Sequence, residues 1–534
     1  MSTSLRWSCA VAVLGLGSMR CVSSSSEDAG AFAPGDSGFA GSASNAGSGN
    51  SGLGGMPGSG GSGGAPPEKE IEGSFLAPVV TGKYVFSANP TSGRVAVIDA
   101  ETYGVRLFNA GFGPKYLSAL PGQRGAIVIN ELSRDTTLFH LRGDEVTVDE
   151  RSLPVHQGAN AWAISNDARF AVAWTQSPLT EKPDATDGSQ TITVLDLQQG
   201  DAQRLTVGFH PTKVVIDDES TRAFVVNDDG ISVVALGDEP AVSLLARVSP
   251  DPLEEPAARD VSISPDGQLA IVRVDGSREL RFVDLTRNGA LTAYDLGSEV
   301  ADVDLSLDGT LAVAALPNAR EVVLIPVPPS GGSESFERVA IPGEVTSSLA
   351  LSRDAELALL YQNGAPNSHV TILDLREGMG RALRTLDVKG PVSAAFVAPD
   401  AASAIVVQQP IQGSNKPGLF SSLPTLQPRS AKLVGTDAAP SAIAFDDTGE
   451  HALVTIGDEK SSVHGVYRVK LGTLQEDFVR LASPPALGAT GIVEAAGRGF
   501  VAQQHPEGRI TFVELETARA RTITGFELAA RILQ

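Results

Sequence analysis

Apolar and polar residues alternate in short runs along most of this chain, and the runs come in sets of four. Between residues 260 and 285 (DVSISPDGQLAIVRVDGSRELRFVDL), Val261, Ile263, Leu269, Ile271, Val274, Phe282 and Leu285 are mostly spaced by two. A two-residue period sends successive side chains to opposite faces of a pleated strand. Ser264-Pro265-Asp266-Gly267 breaks the run as a turn, for physical reasons. Proline presets φ, the aspartate caps nearby backbone, and glycine tolerates positive φ. Asp275-Gly276-Ser277 is the second break. The pattern predicts an inner strand (ARDVSIS), a second (LAIVRV), a third (ELRFVDL) and a fourth over 291–296. Four antiparallel strands in about 45 residues form a sheet too small to bury both faces alone, so copies must stack.

The copies are present. The second-strand pattern recurs as KYVFSA, RGAIVI, RFAVAW, RAFVVN, QLAIVR, TLAVAA, ELALLY, SAIVVQ, HALVTI and RGFVAQ, ten times from Lys83 onward. Third strands read VAVID, TVLDL, RFVDL, TILDL and TFVEL, ending on Asp99, Asp196, Asp284, Asp374 and Glu514. Turn aspartates follow the inner strands at Asp167, Asp218, Asp266, Asp308, Asp354, Asp400 and Asp447, 42 to 51 residues apart. This period predicts an all-β chain, a β-propeller of four-stranded antiparallel blades with about ten repeats. Propellers of four to eight blades are usual. The expectation is therefore 8–10 blades, in one large ring or with some units set aside in a second ring or insertion. Long loops are expected at 177–190 and 409–432. The folded part opens on a second strand and closes on RITFVEL, ARTITGF and ELAARIL. The C-terminal strand over 527–533 is thus expected to pair into the first blade and close the ring.

One repeat carries a family resemblance. KYVFSANPTSGRVAVIDAETYGV resembles the YVTN class of propeller repeat, with Tyr84, Val85, Asn89, Gly93, Val95, Val97, Ile98, Asp99, Thr102 and Gly104 at the consensus places. SISPDG resembles the turn that closes that repeat. The likeness covers most of 83–534 and is weak from about 408 to 433. It implies a propeller fold. It also implies a lactonase-type alternative, in which a few acidic, Asn or His residues hold a divalent metal at the channel. No residues of this sequence match such a site position by position.

The N-terminus changes the picture of where the chain works. Residues 1–22 hold Arg6, an apolar run from Ala10 to Leu16, and Cys21 followed by serines. They resemble a bacterial signal peptide with a lipoprotein cysteine, Cys21 being the candidate lipid attachment. Ser18 and Arg20 stand where such signals usually carry leucine and a small residue. Residues 23–67 are dominated by Gly, Ser and Ala and read as a disordered linker, with a root-mean-square span of roughly 35–40 Å. Residues 68–534 are the propeller domain. The cell envelope, through a lipid anchor, or the extracellular space is the expected location.

Charge and cysteine count narrow the function classes. Lys plus Arg number 41 against 63 Asp plus Glu, a formal net charge of −22. Phosphate binding needs a basic surface, so nucleic acid is excluded as a partner. No run of about 18 apolar residues exists to span a membrane as a helix. Cys9 and Cys21 are the only cysteines, so the body has neither disulfides nor thiolate metal ligands. The absence of C-x-x-C-H excludes haem c.

Candidate chemistry is sparse. Gly60 to Gly64 fits G-x-S-x-G only formally, inside low-complexity sequence. His140, His156, His210, His369, His451, His464 and His505 show no ligand spacing, although a ring could gather several at its axis. The Asp-rich turns lack calcium-loop spacing and are explained as turns. Trp162 and Trp174 are expected to pack between blades. Asp302 and Asp304, two apart on an inner strand, share one face and are candidate channel-lining residues, against the alternative of a solvated face. No catalytic, cofactor or metal residues are assigned, and a divalent metal stays open. The expected function is a non-enzymatic, monomeric binding or scaffold propeller whose partner is an envelope or extracellular protein or a small ligand. The alternative is a metal-dependent lactonase-like propeller hydrolase.

Overall fold

Ten four-stranded antiparallel sheets follow one another along the chain, each ordered from inner to outer strand as in the sequence. The computed structural model describes residues 11–13, 75–176, 189–363, 367–376, 382–411 and 413–526. Blades 1 to 10 cover 79–109, 114–148, 161–206, 213–246, 259–295, 302–340, 348–387, 392–436, 440–480 and 485–524. Every expected second-strand copy is a strand. In the 260–285 repeat the strands are Arg259–Ile263, Leu269–Val274 and Glu279–Asp284, followed by Ala290–Asp295. Val11–Val13 adds a fifth strand to blade 9, antiparallel to Ala442–Ala444 on its inner edge.

Position within a blade explains the residue pattern. Second strands such as Phe170–Trp174 and Ser403–Gln408 are buried along their whole length because neighbouring blades cover both faces. Fourth strands such as Asp201–Thr206 and Ala290–Asp295 lie at the rim and keep an exposed polar edge. Buried apolar clusters occupy all ten blade junctions among the described residues. One joins blade 1 to blade 10 through Val85, Ile98, Phe500 and Phe512. That junction closes a single ring of ten blades.

Three expectations need correcting. The inner strand of blade 1 is Val79–Thr81, paired with Tyr84–Phe86, so four strands are supplied by one continuous stretch. The 527–533 strand expected there lies outside the described residues. Second, 409–432 is not one long loop. Gly418–Pro424 is the third strand of blade 8, fully buried, and its Ser and Pro content hid it from the alternation. Third, the capping carboxylates of blades 4 and 9 are Asp217 and Asp446, not Asp218 and Asp447. Asp217 accepts the backbone N–H groups of Thr221 and Arg222, and Asp446 that of His451.

Candidate functional site

The two faces of the disc differ by construction. In a four-stranded meander, the first and third turns fall on one face and the second turn and blade-to-blade connection on the other. The first face, here called the turn face, is built by side-chain caps. Ser264 Oγ donates to Asp266 Oδ1 at 2.6 Å and accepts the Leu269 N–H at 2.9 Å, closing the first turn of blade 5. Ser165–Asp167, Ser306–Asp308 and Ser352–Asp354 repeat the device in blades 3, 6 and 7. Aspartates ending the third strands do the same for the outer turn. Asp99, Asp196 and Asp284 each accept two consecutive backbone N–H groups. Cations then tie turns of adjacent blades. Arg169 reaches Asp238, Arg222 the Asp266 carbonyl, Lys470 the Glu516 carboxylate, and Arg498 the Glu101 carbonyl, at 2.7 to 3.1 Å.

Asp302 and Asp304 stand on the inner strand of blade 6 and are buried, so the solvated-face alternative fails. Asp302 Oδ2 accepts the Leu349 N–H at 2.7 Å and Asp304 Oδ2 the Leu351 N–H at 3.1 Å. The pair ties blade 6 to the inner strand of blade 7. Trp162 and Trp174 are buried in the cluster shared by blades 2 to 4, and Trp162 Nε1 donates to the Tyr116 carbonyl at 3.1 Å. Cys21 lies outside the described residues.

The histidines stay apart, with local partners. His140 meets Asp149, His156 bonds Thr193 and Thr175, His210 meets Asp228, and His369 meets Glu344. His451 alone enters a group with metal-ligand geometry among the described residues. Its ligand atom and those of Glu450 and Glu516 lie within 4.8 Å of one another. The group sits on the turn face between blades 9 and 10. His451 Nδ1 bonds Asp446 Oδ2 at 3.0 Å, and Nε2 faces Glu516 Oε1 at 3.8 Å. Nothing in local spacing revealed it, because Glu516 arrives from another blade. The one signal in the sequence is a histidine heading a second strand, where other blades place Phe170, Leu269, Leu311 or Leu357.

This group ends an acidic band over the turn face of blades 7 to 10. Asp354, Glu356, Asp400, Glu450 and Glu516 are exposed along it. A cleft of about 310 Å³ opens between blades 7 and 8, walled by Leu357, Ile372 and Leu426 and lined by Asp354, Glu356, Asp374 and Asp400. Arg376 pairs with Asp374 there. Partial desolvation, reinforced by neighbouring carboxylates, raises two carboxyls on this face. Burial, with the charges of Asp446 and Glu450, raises the Asp400 carboxyl despite the Ala402 N–H. Burial lifts Glu494 to about 7, helped by Asp447 and Asp446 and opposed by the Asp447 N–H and His451. Burial also acts to raise Asp446, but hydrogen bonds from the His451 ring and backbone and from Thr448 hold it below the usual carboxylate range.

The fold defines the class: this is a ten-bladed β-propeller. No family model and no curated protein matches the chain, so the YVTN resemblance rests on the repeat residues themselves. Among solved structures, dihydro-heme d1 dehydrogenase NirN in complex with DHE is similar at 13% identity and TM-score 0.41, over 79% of this chain and 77% of that one. A eukaryotic initiation factor aligns at 12% identity and TM-score 0.49, over 83% and 97%. A β-propeller domain from Myceliophteria thermophila aligns at 13% identity and TM-score 0.33, over 64% and 95%.

Proposed function

We propose that this chain is a non-enzymatic binding scaffold of the bacterial cell envelope, of the YVTN-like kind. In this reading it is a monomer, either anchored by a lipid on Cys21 or secreted, with residues 1–22 as the export signal, so that processing removes the Val11–Val13 strand and leaves blade 9 with four strands. The 23–67 linker would hold the disc clear of a membrane. The observation that carries the proposal is the acidic band with its cleft on the turn face of blades 7 to 10. A rigid face with excess carboxylate suits a basic segment of an envelope or extracellular protein, because complementary charge speeds encounter and rejects acidic competitors.

The test uses the full chain immobilised beside an Asp354→Asn/Glu356→Gln variant. Both are presented with a lysine-rich peptide and then with envelope extract. Binding that the variant loses, and that rising salt weakens, supports the proposal. Equal capture by both forms overturns it. The second reading, a metal-dependent lactonase-like hydrolase, draws on the Glu450, His451 and Glu516 group. That reading requires hydrolysis of a lactone substrate that stops with His451→Gln.

A further inference from the structure

The first turn of blade 9 departs from its counterparts where chemistry would need it to. Asp446 and Thr448 replace the Ser and Asp of blades 3, 5, 6 and 7, and His451 replaces the apolar residue that heads their second strands. The turn would close without this exchange, since Ser264, Asp266 and Leu269 close its equivalent in blade 5. What the exchange produces is an oriented imidazole. In the tautomer that donates from Nδ1 to Asp446, the ring carries its lone pair on Nε2. His451 is 3% exposed, and Nε2 has no hydrogen-bond partner. A buried nitrogen in that state has lost its hydrogen bond to water without a replacement. Nε2 faces Glu516 Oε1 at 3.8 Å, and one ligand atom each from His451, Glu450 and Glu516 lie within 4.8 Å of one another. Lys470 holds the other Glu516 oxygen, Oε2, at 3.0 Å and leaves Oε1 directed at the ring.

We propose that His451 Nε2, Glu450 and Glu516 form a divalent-cation site of the zinc class that staples blade 9 to blade 10. One imidazole nitrogen and two carboxylate oxygens, with a fourth position for water, form a zinc-type donor set and suit magnesium or calcium poorly. Asp446 takes the part of the carboxylate that orients a metal-bound histidine. The two glutamates are long and exposed, so they can close the last ångström onto an ion, whereas the histidine is fixed. The site lies at one end of the acidic band, but its test alters Glu450 and Glu516 and reads metal binding, whereas the band is tested at Asp354 and Glu356, so either proposal can fail alone.

The experiment is calorimetric titration of the chelator-treated full chain with Zn²⁺, beside thermal melting with and without the ion. Glu450→Gln and Glu516→Gln change exposed side chains and leave the apolar core intact. The expected result is saturable binding that each variant weakens by about tenfold or more. Zn²⁺ should raise the melting temperature of the wild type and not of the double variant, while Mg²⁺ leaves both unchanged. The absence of saturable Zn²⁺ binding overturns the site. So does binding that is unaltered in the Glu450→Gln/Glu516→Gln double variant, which would place the ion elsewhere on the chain.

Discussion

Gly267 shows how tightly single residues are fixed on the turn face. Its φ is +64°, and a Cβ there would stand 2.5 Å from the Phe224 ring of blade 4. Gly267→Ala should therefore combine left-handed strain with a steric clash between blades, costing about 1–3 kcal/mol. A denaturant midpoint lowered at unchanged slope checks it. Asp302 and Asp304 make a different kind of claim. Each accepts a backbone N–H of blade 7 from a buried position. Asp304→Ala removes the acceptor of the Leu351 N–H at a cost of about 1–3 kcal/mol. Hydrogen exchange should accelerate at Leu351 ahead of the rest of that strand. If it does not, the carboxylate contributes little to the junction.

At the scale of the element, the turn joining the inner and second strands carries the chemistry, and in blade 10 it carries Glu494. That carboxyl accepts the Asp447 N–H at 2.9 Å and titrates near 7 because burial and the charges of Asp447 and Asp446 outweigh that bond and His451. An acid raised in the folded state binds more protons folded than unfolded between about 4.5 and 7. Stability should fall as pH rises through that window, and the penalty is absent below it. Glu494→Gln keeps an acceptor for Asp447 and removes the titration. The variant should gain on the order of 1 kcal/mol over wild type above pH 7, after screening of a half-exposed group. Melting curves at pH 5 and pH 8 measure the difference, and an equal gap at both would sink the assignment. Strands and turns of this kind were legible in the sequence because period-two alternation and Ser–x–Asp spacing are local. Gly418–Pro424 was not, since Ser421, Ser422 and Pro424 break the apolar pattern that marks the other third strands. The Glu450, His451 and Glu516 group was not either, because the residue joining it comes from the next blade and only the fold brings it near.

The whole ring depends on its seam. Consecutive blades are joined by short connections, so a junction between them that loosens is still held by the chain. Blades 10 and 1 are joined only by packing and side-chain bonds among the described residues. Phe512 lies edge-on to Tyr103 with ring centroids 5.6 Å apart. Arg498 and Arg521 each place a guanidinium against the Tyr103 ring, 4.5 and 4.3 Å from its centroid. Arg498 also donates to the Glu101 carbonyl at 2.8 Å. Cation–π and ring contacts of this kind contribute about 0.5–2 kcal/mol each and add to the apolar cluster of Val85, Ile98, Phe500 and Phe512 at the same seam. A ring cut there becomes an open array whose two end blades each expose a sheet face, and such ends fray first in stacked-repeat proteins. Tyr103→Ala should therefore speed amide exchange in the strands Tyr84–Asn89 of blade 1 and Arg498–Gln503 of blade 10. Leu269–Val274 of blade 5, across the ring, should keep its wild-type protection. Acceleration spread evenly over all three would mean that the ring melts as one unit, and that closure is held by the cooperativity of its ten sheets rather than by this seam.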